Sequence, residues 1–296
     1  MMKKTSLIDA MADSARQTEA CLLSLLDERD PDLSLLFEGM RYSTMAGGKR
    51  IRPYLTFAFC DLFGGRAENA VYFASALEMV HTYSLIHDDL PCMDDDDLRR
   101  GKPTNHKVYG EAEAVLAGDA LFTMAFEAIT KAPVPEKDAL SAVRVLAEAA
   151  GARGMVGGQM MDIRAEKIAP DKETLIRLHK RKTGALITAA AELGCIAAGV
   201  HDESKLDACR RYAGGIGLAF QITDDILDRY GDTALLGKTT GQDEKDGKTT
   251  FLSFADRNEA YHEAERLTAE AKSAIADFDG CENLLSLADM LLTRTN

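Results

Sequence analysis

Six aspartates fall within ten residues in the run HDDLPCMDDDDLRRG (87–101), and two arginines follow them. Pro91 disfavours a helical conformation at Leu90, so the apolar helix that precedes the run is predicted to end near Asp89. Carboxylates at a helix C-terminus oppose the helix dipole by about 0.3–1 kcal/mol each. Residues 94–97 alone would be typical of a solvated acidic loop. The helix before them and the arginines after them favour a site where a cation offsets the repulsion.

A second acidic group lies in GLAFQITDDILD (217–228), where Gln221, Asp224, Asp225 and Asp228 share one helical face at i, i+3, i+4 and i+7. An exposed stripe would be the ordinary alternative. However, this spacing is the one normally used for core contacts, and buried carboxylates must be paired or bind a cation. Two such motifs in one chain favour Mg²⁺, which prefers a few oxygen ligands together with water and phosphate. We therefore expect two carboxylate walls of one cavity to hold a diphosphate through Mg²⁺.

The elements that carry these motifs are predicted to be helices almost throughout, because apolar residues recur at intervals of three and four and no useful alternating run appears. The sequence predicts an all-α fold, a single large helical bundle around a deep central cavity, with residues 1–296 as one domain. The segment 231–250 is polar, glycine-rich and too long for an ordinary helix connection. The predicted helices cover 22–28, 53–63, 71–87, 114–129, 138–152, 172–199, 204–230, 258–278 and 283–294.

Composition narrows the classes of function. The chain has 35 basic and 48 acidic residues and a net charge of −13, which argues against non-specific binding to nucleic acid or to anionic membranes. Its six cysteines show no CxxC pair, so neither a zinc site nor a disulfide framework is indicated. The N-terminus lacks an apolar signal region, and the most apolar segment, 183–200, carries Glu192. We expect a cytoplasmic protein with no membrane insertion.

Further short motifs accompany the two aspartate groups along the chain. The full set is GGKRIRP (47–53), HDDLPCMDDDDLRRGKPTNH (87–106), GDAL (118–121), GGQMMDI (157–163), HKRKTGAL (179–186), GLAFQITDDILD (217–228) and the loop 237–248. Together they resemble the motifs of trans-isoprenyl diphosphate synthases of the farnesyl and geranylgeranyl type, and the resemblance covers nearly the whole chain. It implies a homodimer that condenses isopentenyl diphosphate head-to-tail with dimethylallyl diphosphate and geranyl diphosphate. The allylic diphosphate would ionise with Mg²⁺ assistance, the isopentenyl double bond would attack, and a proton would be eliminated.

The resemblance also implies roles for individual residues. Three Mg²⁺ ions per active site, replaceable by Mn²⁺, would be held by aspartates of both motifs, with direct ligands at Asp88, Asp94 and Asp224 and supporting positions at Asp89, Asp225 and Asp228. The allylic diphosphate would contact Arg99, Lys182 and Lys238, with Thr183, Gln221 and Lys248 nearby. The isopentenyl diphosphate would be bound without metal by Gly48, Lys49, Arg52, His81 and Arg100.

Product length is predicted from the helix before Asp88. Tyr83 precedes Asp88 by five residues, about 7.5 Å along a helix, where an aromatic ring can form the floor of the cavity. With four residues between the aspartates of DDLPCMD, this aromatic resembles bacterial farnesyl diphosphate synthases and favours a C15 product. Tyr83 could instead be an ordinary core residue, and the neighbouring Ser84 is small. A C20 product, as in geranylgeranyl diphosphate synthases, is therefore the alternative.

Other classes fit the sequence less well. The GKTT sequences at 237–240 and 247–250 suggest a P-loop, but Asp232 and Gln242 stand where that motif requires glycine. A calcium loop starting at Asp94 would need glycine where Arg99 lies. A terpene cyclase would be expected to have more than 6% aromatic residues and a different second motif. A non-catalytic prenyl-diphosphate-binding subunit would be expected to have lost some of the aspartates or basic residues, and none is lost.

Overall fold

The computed structural model describes residues 6–231 and 248–293, and regular structure in these residues is almost entirely helical. The predicted all-α class is confirmed. The exception is a short antiparallel hairpin whose strands, β1 (Leu98–Arg99) and β2 (Lys102–Pro103), have two residues each. The helices are α1 (Leu7–Leu25), α2 (Ser34–Thr44), α3 (Ile51–Leu62), α4 (Ala67–Asp88), α5 (Asn105–Tyr109), α6 (Glu111–Thr130), α7 (Glu136–Ala150), α8 (Met155–Ala165), α9 (Lys172–His179), α10 (Ala185–Ala197), α11 (Glu203–Tyr230), α12 (Arg257–Ile275) and α13 (Glu282–Leu292).

Most predicted helices lie within a few residues of the observed ones, but the first was wrong in its position. The helix expected at 22–28 begins at Leu7 and ends at Leu25, because the Ser6 side chain accepts a hydrogen bond from the Asp9 N–H and so caps the helix start. Helices α2, α5 and α8 were not predicted. Within the described ranges, no helix combines the length and the apolar character that crossing a membrane requires.

The described residues divide into two compact units, and the prediction of one domain over 1–296 stays a prediction. The first unit comprises Met1–Arg144 and Leu193–Gly199. Its central helix is α4, which packs against α1, α2, α3 and α6. Phe73, Leu77 and Val80 of α4 are fully buried, so this helix is enclosed on several sides rather than amphipathic. That enclosure fixes the end of α4, where the first aspartate motif begins.

The second unit comprises Val145–Glu192 and Val200–Asn296. Its longest helix, α11, packs mainly against α12. Ile222 and Ile226 of α11 form a core with Phe251 and Leu252, which lie in the 3₁₀ turn Phe251–Ser253. One face of α11 is thus held by apolar packing, and this packing fixes the rotation of the helix that carries the second aspartate motif.

Candidate active site

The first aspartate motif is built at the end of α4, which stops at Asp88 as the proline at 91 predicts. The chain then folds back in tight turns, with the Asp94 N–H donating a 2.8 Å hydrogen bond to the Asp88 carbonyl. Asp95 takes a left-handed φ of 51° in this reversal. The backbones of Asp88 and Asp94, the two predicted direct metal ligands of this motif, are therefore next to each other. Asp88 is half-buried and Asp94 is exposed.

Asp89 has a different environment from its neighbour. Its side chain is buried, and Arg99 donates Nε–H to its carboxylate at 2.5 Å. Burial raises the pKa of Asp89 to about 6, against the lowering effect of Arg99 and with added repulsion from Asp96 and Asp94. Arg99 also pairs with Asp96 at 3.1 Å. Arg99, predicted to contact the allylic diphosphate, thus holds two carboxylates of its own motif in this structure.

Basic side chains surround His81, which lies two turns before Asp88 on α4. The pKa of His81 is well below its usual value because the half-buried ring is poorly hydrated and because guanidinium groups lie around it, so the imidazole is neutral at pH 7. Arg52 has a buried Nε with no hydrogen-bond partner among the described residues. Such an unpaired donor beside a neutral histidine suits an anion. The guanidinium groups near His81 belong to Arg52, Arg100, Arg50 and Arg99.

The glycine turn before α3 lies against the side chain of Arg100. Gly47 and Gly48 have φ values of 91° and 125°, conformations that favour glycine. Arg100 donates a hydrogen bond to the Gly47 carbonyl, and a Cβ at Gly48 would lie 2.8 Å from the Arg100 Cζ. The structure therefore places Gly48 and Arg100, two predicted isopentenyl-diphosphate residues, in contact. Lys49, predicted for the same substrate, is exposed in the same turn.

Arg50 received no role from the sequence, yet it is the most buried basic residue of GGKRIRP. It has a left-handed φ of 47° and only 4% exposure. Its guanidinium donates to Glu78 at 2.5 Å, to Glu19 at 3.2 Å and to the Thr44 carbonyl at 2.6 Å. The only sequence signal was Glu78 itself, a charged residue inside the apolar helix 71–87. Arg50 and Glu78 form an internal ion pair behind the basic cluster.

Tyr83, the predicted cavity floor, is 8% exposed on α4. Its ring lies 4.7 Å from that of Phe122 and 5.5 Å from that of His87, centroid to centroid, and Phe122 contacts Phe126 edge to face at 5.3 Å. The phenylalanines come from α6 and were missed, because sequence spacing does not show which helices pack together. Ser84 donates its hydroxyl to the His81 carbonyl, so its side-chain hydrogen bond lies within α4.

The second aspartate motif lies on α11 with the predicted helical spacing. Asp225 and Asp228 are buried, whereas Gln221 and Asp224 are half-buried. Asp225 accepts a 2.7 Å hydrogen bond from the Phe251 N–H, which anchors the 3₁₀ turn to the helix. Asp225 was predicted to support the metal ions and the diphosphate bound to them, and in the structure its carboxylate has this backbone partner.

Lys182 and Thr183 lie in a π-helical turn, Lys180–Gly184, between α9 and α10. Single π turns inside helices are frequent at functional sites. Thr183 donates its hydroxyl to the Gln221 side-chain carbonyl, so two predicted neighbours of the allylic diphosphate meet. Lys182 pairs with Asp162 of α8, a partner that the sequence did not indicate.

Two further predicted residues complete the set. Lys238 lies outside the described residues, and Lys248 is half-buried just before the turn at Phe251. In residues 6–231 and 248–293, no three acidic, histidine or cysteine side chains form a closed metal cage. Mg²⁺ commonly uses one or two carboxylates and completes its shell with water and substrate phosphate. Asp88 and Asp94, whose backbones are joined by a hydrogen bond within a motif of six aspartates, fit such an open site.

Residues 34–285 match the polyprenyl synthetase family. The chain belongs to the polyprenyl synthetase family. It is 48% identical over 268 residues to geranylgeranyl pyrophosphate synthase 3, chloroplastic, from Arabidopsis thaliana, covering 88% of this chain and 74% of that one. It is 45% identical over 264 residues to farnesyl diphosphate synthase from Escherichia coli strain K12, covering 87% and 88%. This polyprenyl synthetase is therefore a prenyltransferase of isoprenoid biosynthesis.

A solved structure is similar to this polyprenyl synthetase over nearly its whole length. The apo crystal structure of an FPP/GFPP synthase from Zymomonas mobilis has a TM-score of 0.88 and 39% identity, covering 96% of this chain and 98% of that one. The trans-prenyltransferase activity predicted from the sequence is confirmed by these relatives. They differ in the product that their names give, so the family does not decide product length.

Proposed function

We propose that this prenyltransferase makes (2E,6E)-farnesyl diphosphate from isopentenyl diphosphate with dimethylallyl diphosphate and then geranyl diphosphate. The observation that carries the C15 product is the aromatic group of Tyr83, Phe122 and Phe126, which starts five residues before Asp88. The name of the Escherichia coli relative supports the same product. A chain that grows along α4 would meet the Tyr83 ring about 7.5 Å from Asp88.

The allylic diphosphate would be bound by the aspartate motifs and the π-helical turn. Asp88, Asp94 and Asp224 would be the direct Mg²⁺ ligands, with Asp89 and Asp228 supporting them. When bound, Mg²⁺ supplies Lewis-acid stabilisation of the charge that gathers on the leaving diphosphate. Lys182 and Lys238 would bind the same diphosphate, together with Arg99. The Thr183 and Gln221 side chains, already hydrogen-bonded to each other, would present oxygen atoms to the allylic carbon that becomes positive.

The isopentenyl diphosphate would be bound by the basic cluster. Arg52 has a buried Nε that is unpaired within residues 6–231 and 248–293, and Arg100 is held against the glycine turn, so both can bind phosphate oxygens without metal. His81 is neutral, and its ring can therefore donate one N–H to the same anion. The departing diphosphate would take the final proton, so no side chain is needed as a base.

The test is product analysis with purified full-length protein. With Mg²⁺, isopentenyl diphosphate and either allylic primer, phosphatase treatment should release mainly the C15 alcohol. Tyr83→Ala should shift the product to C20 or longer, whereas Tyr109→Ala, which removes an aromatic paired with Tyr42 in the same unit, should leave it at C15. A mainly C20 product from the unaltered protein would overturn the chain-length proposal.

Geranylgeranyl diphosphate is the second candidate product. Ser84 is small and its hydroxyl is occupied by the His81 carbonyl, so a chain could pass beside Tyr83 on that side. The name of the Arabidopsis thaliana relative supports this alternative. We also expect a homodimer, which sedimentation analysis at micromolar concentration would test. A mass of one chain, 32.2 kDa, would contradict that expectation.

A further inference from the structure

The basic cluster around His81 brings together four guanidinium groups, of which Arg50 is buried, Arg52 and Arg99 are half-buried and Arg100 is exposed. Four guanidinium groups influence one imidazole, and Arg50 is itself almost fully buried. Like charges that are held close destabilise the free protein. A carboxylate must therefore offset part of this charge before any substrate is bound.

Glu78 is the carboxylate that meets this need. It lies on α4 with 2% exposure, one turn before His81. One oxygen, Oε1, accepts from Arg50 at 2.5 Å, while Oε2 is buried without a hydrogen-bond partner among the described residues. Its charge favours the protonated guanidinium of Arg52 and also that of Arg100, against the lowering of both pKa values by burial. Glu78 therefore acts on three arginines while bonding to one.

Glu19 provides the contrast within the same network. It also pairs with Arg50, at 3.2 Å, but its side chain is 36% exposed. It is not among the groups that shift the pKa of Arg52 or Arg100, whereas Glu78 raises both pKa values. Loss of Glu19 would remove one ion pair of Arg50 without removing the negative charge of Glu78 that acts on Arg52 and Arg100.

We propose that Glu78 is the resident counter-ion of the isopentenyl-diphosphate site, a positioning residue that holds the arginines together in the free protein and competes with the substrate anion. This proposal rests on the proposed function for the identity of the substrate. Removing the charge of Glu78 makes the free protein less stable, because the arginines then repel one another without a counter-ion. A bound diphosphate supplies the missing negative charge, so it stabilises the variant more than it stabilises the unaltered protein. Anion binding is therefore tighter, by linkage, in a variant that is otherwise destabilised.

The test measures thermal stability of the full-length protein with and without inorganic pyrophosphate, in the absence of Mg²⁺. Glu78→Gln keeps an oxygen for Arg50 but removes the charge. We expect a lower Tm without pyrophosphate and an apparent Kd for pyrophosphate about fivefold lower than that of the unaltered protein. Glu78→Asp, which keeps the charge, should bind pyrophosphate within twofold of the unaltered protein.

Two matched variants separate charge from packing. Glu19→Gln loses a carboxylate from the same arginine, and Glu192→Gln loses one that pairs with Arg210 at 2.5 Å in the second unit. Both should leave the Kd for pyrophosphate within twofold. Glu78→Gln binding pyrophosphate equally or more weakly would overturn the proposal. If Glu78→Gln does not fold, Glu78→Asp decides, because a Kd changed more than twofold would contradict a role through charge.

Kinetics then connect the counter-ion to catalysis. In Glu78→Gln, KM for isopentenyl diphosphate should fall about fivefold while KM for geranyl diphosphate stays within twofold. Equal changes in both KM values would overturn the assignment of Glu78 to one substrate. A protein with no turnover on any primer would refute the proposed function, while the pyrophosphate measurement would still decide the counter-ion.

Discussion

The two aspartate pairs, Asp88 with Asp89 and Asp224 with Asp225, have the same sequence but occupy different local structures. The first pair ends a helix and leads into an exposed reversal of the chain. The second lies inside α11 among buried residues. In both pairs, however, the second aspartate has a specific structural partner. Asp89 accepts from Arg99, and Asp225 accepts from the Phe251 N–H.

This comparison separates two jobs within one motif. A carboxylate that fixes a neighbouring turn is committed to its donor, so its oxygens are less available to a metal. The first aspartate of each pair, Asp88 and Asp224, is half-buried and keeps a surface toward solvent. The second member of each pair therefore has a structural role, whereas the ligand positions proposed above, Asp88 and Asp224, are the members that reach solvent.

Removing the first aspartate should have the largest effect. Asp88→Asn and Asp224→Asn should each lower kcat about a thousandfold, since metal assistance contributes several kcal/mol and about 4 kcal/mol equals three decades. Asp89→Asn and Asp225→Asn should lower it about tenfold at most. Steady-state rates at saturating Mg²⁺ check this, with the exposed Asp61→Asn as the control. Equal losses at both members of a pair would end the distinction.

The sequence was sufficient for the positions of these pairs but not for their partners. Helical spacing placed the stripe on α11, and Pro91 predicted the end of α4 near Asp89, within one residue of the observed end at Asp88. The ring of Phe122 against Tyr83 depends on packing between α4 and α6, which spacing within either helix does not encode. The inward direction of Arg50 depends on a left-handed φ that a non-glycine residue rarely adopts.

The second members should differ from each other in stability. Asp225→Ala leaves the Phe251 N–H without its acceptor in a buried turn, which should cost about 1–3 kcal/mol of unfolding free energy. Asp89→Ala should cost less, because the Arg99 side chain is 30% exposed and can turn to water and to Asp96. Urea unfolding monitored by circular dichroism measures both. A greater loss at Asp89 would show that the first motif, not the second, is the more rigidly held.

The histidines give a pH test of the two units. Burial lowers the pKa of His179 to about 4 and that of His81 well below its usual value. The unfolded chain takes up these protons near pH 6.5, so it binds more protons than the native state below that pH. Stability should therefore fall as pH decreases from 7 to 5, by about 2 kcal/mol for His179.

Replacement of either histidine should reduce this loss. His81→Gln and His179→Gln should each flatten the stability profile between pH 7 and pH 5 relative to the unaltered protein, and the difference isolates the histidine from the acidic groups. The exposed His262→Gln serves as the control. A profile as steep as that of the unaltered protein would mean that the imidazole in question is already charged in the native state.

The outer aspartates of the first motif should show the smallest effect. Asp97 pairs with Lys107 at 2.6 Å, but its side chain is 74% exposed, and exposed ion pairs contribute little because water screens them. Asp97→Asn should leave Tm unchanged and kcat within twofold. A large loss of kcat would place Asp97 with Asp88 and Asp94 as a ligand. In that case the aspartates of the turn at 94–97, and not Asp88 alone, would define the metal site in the first unit.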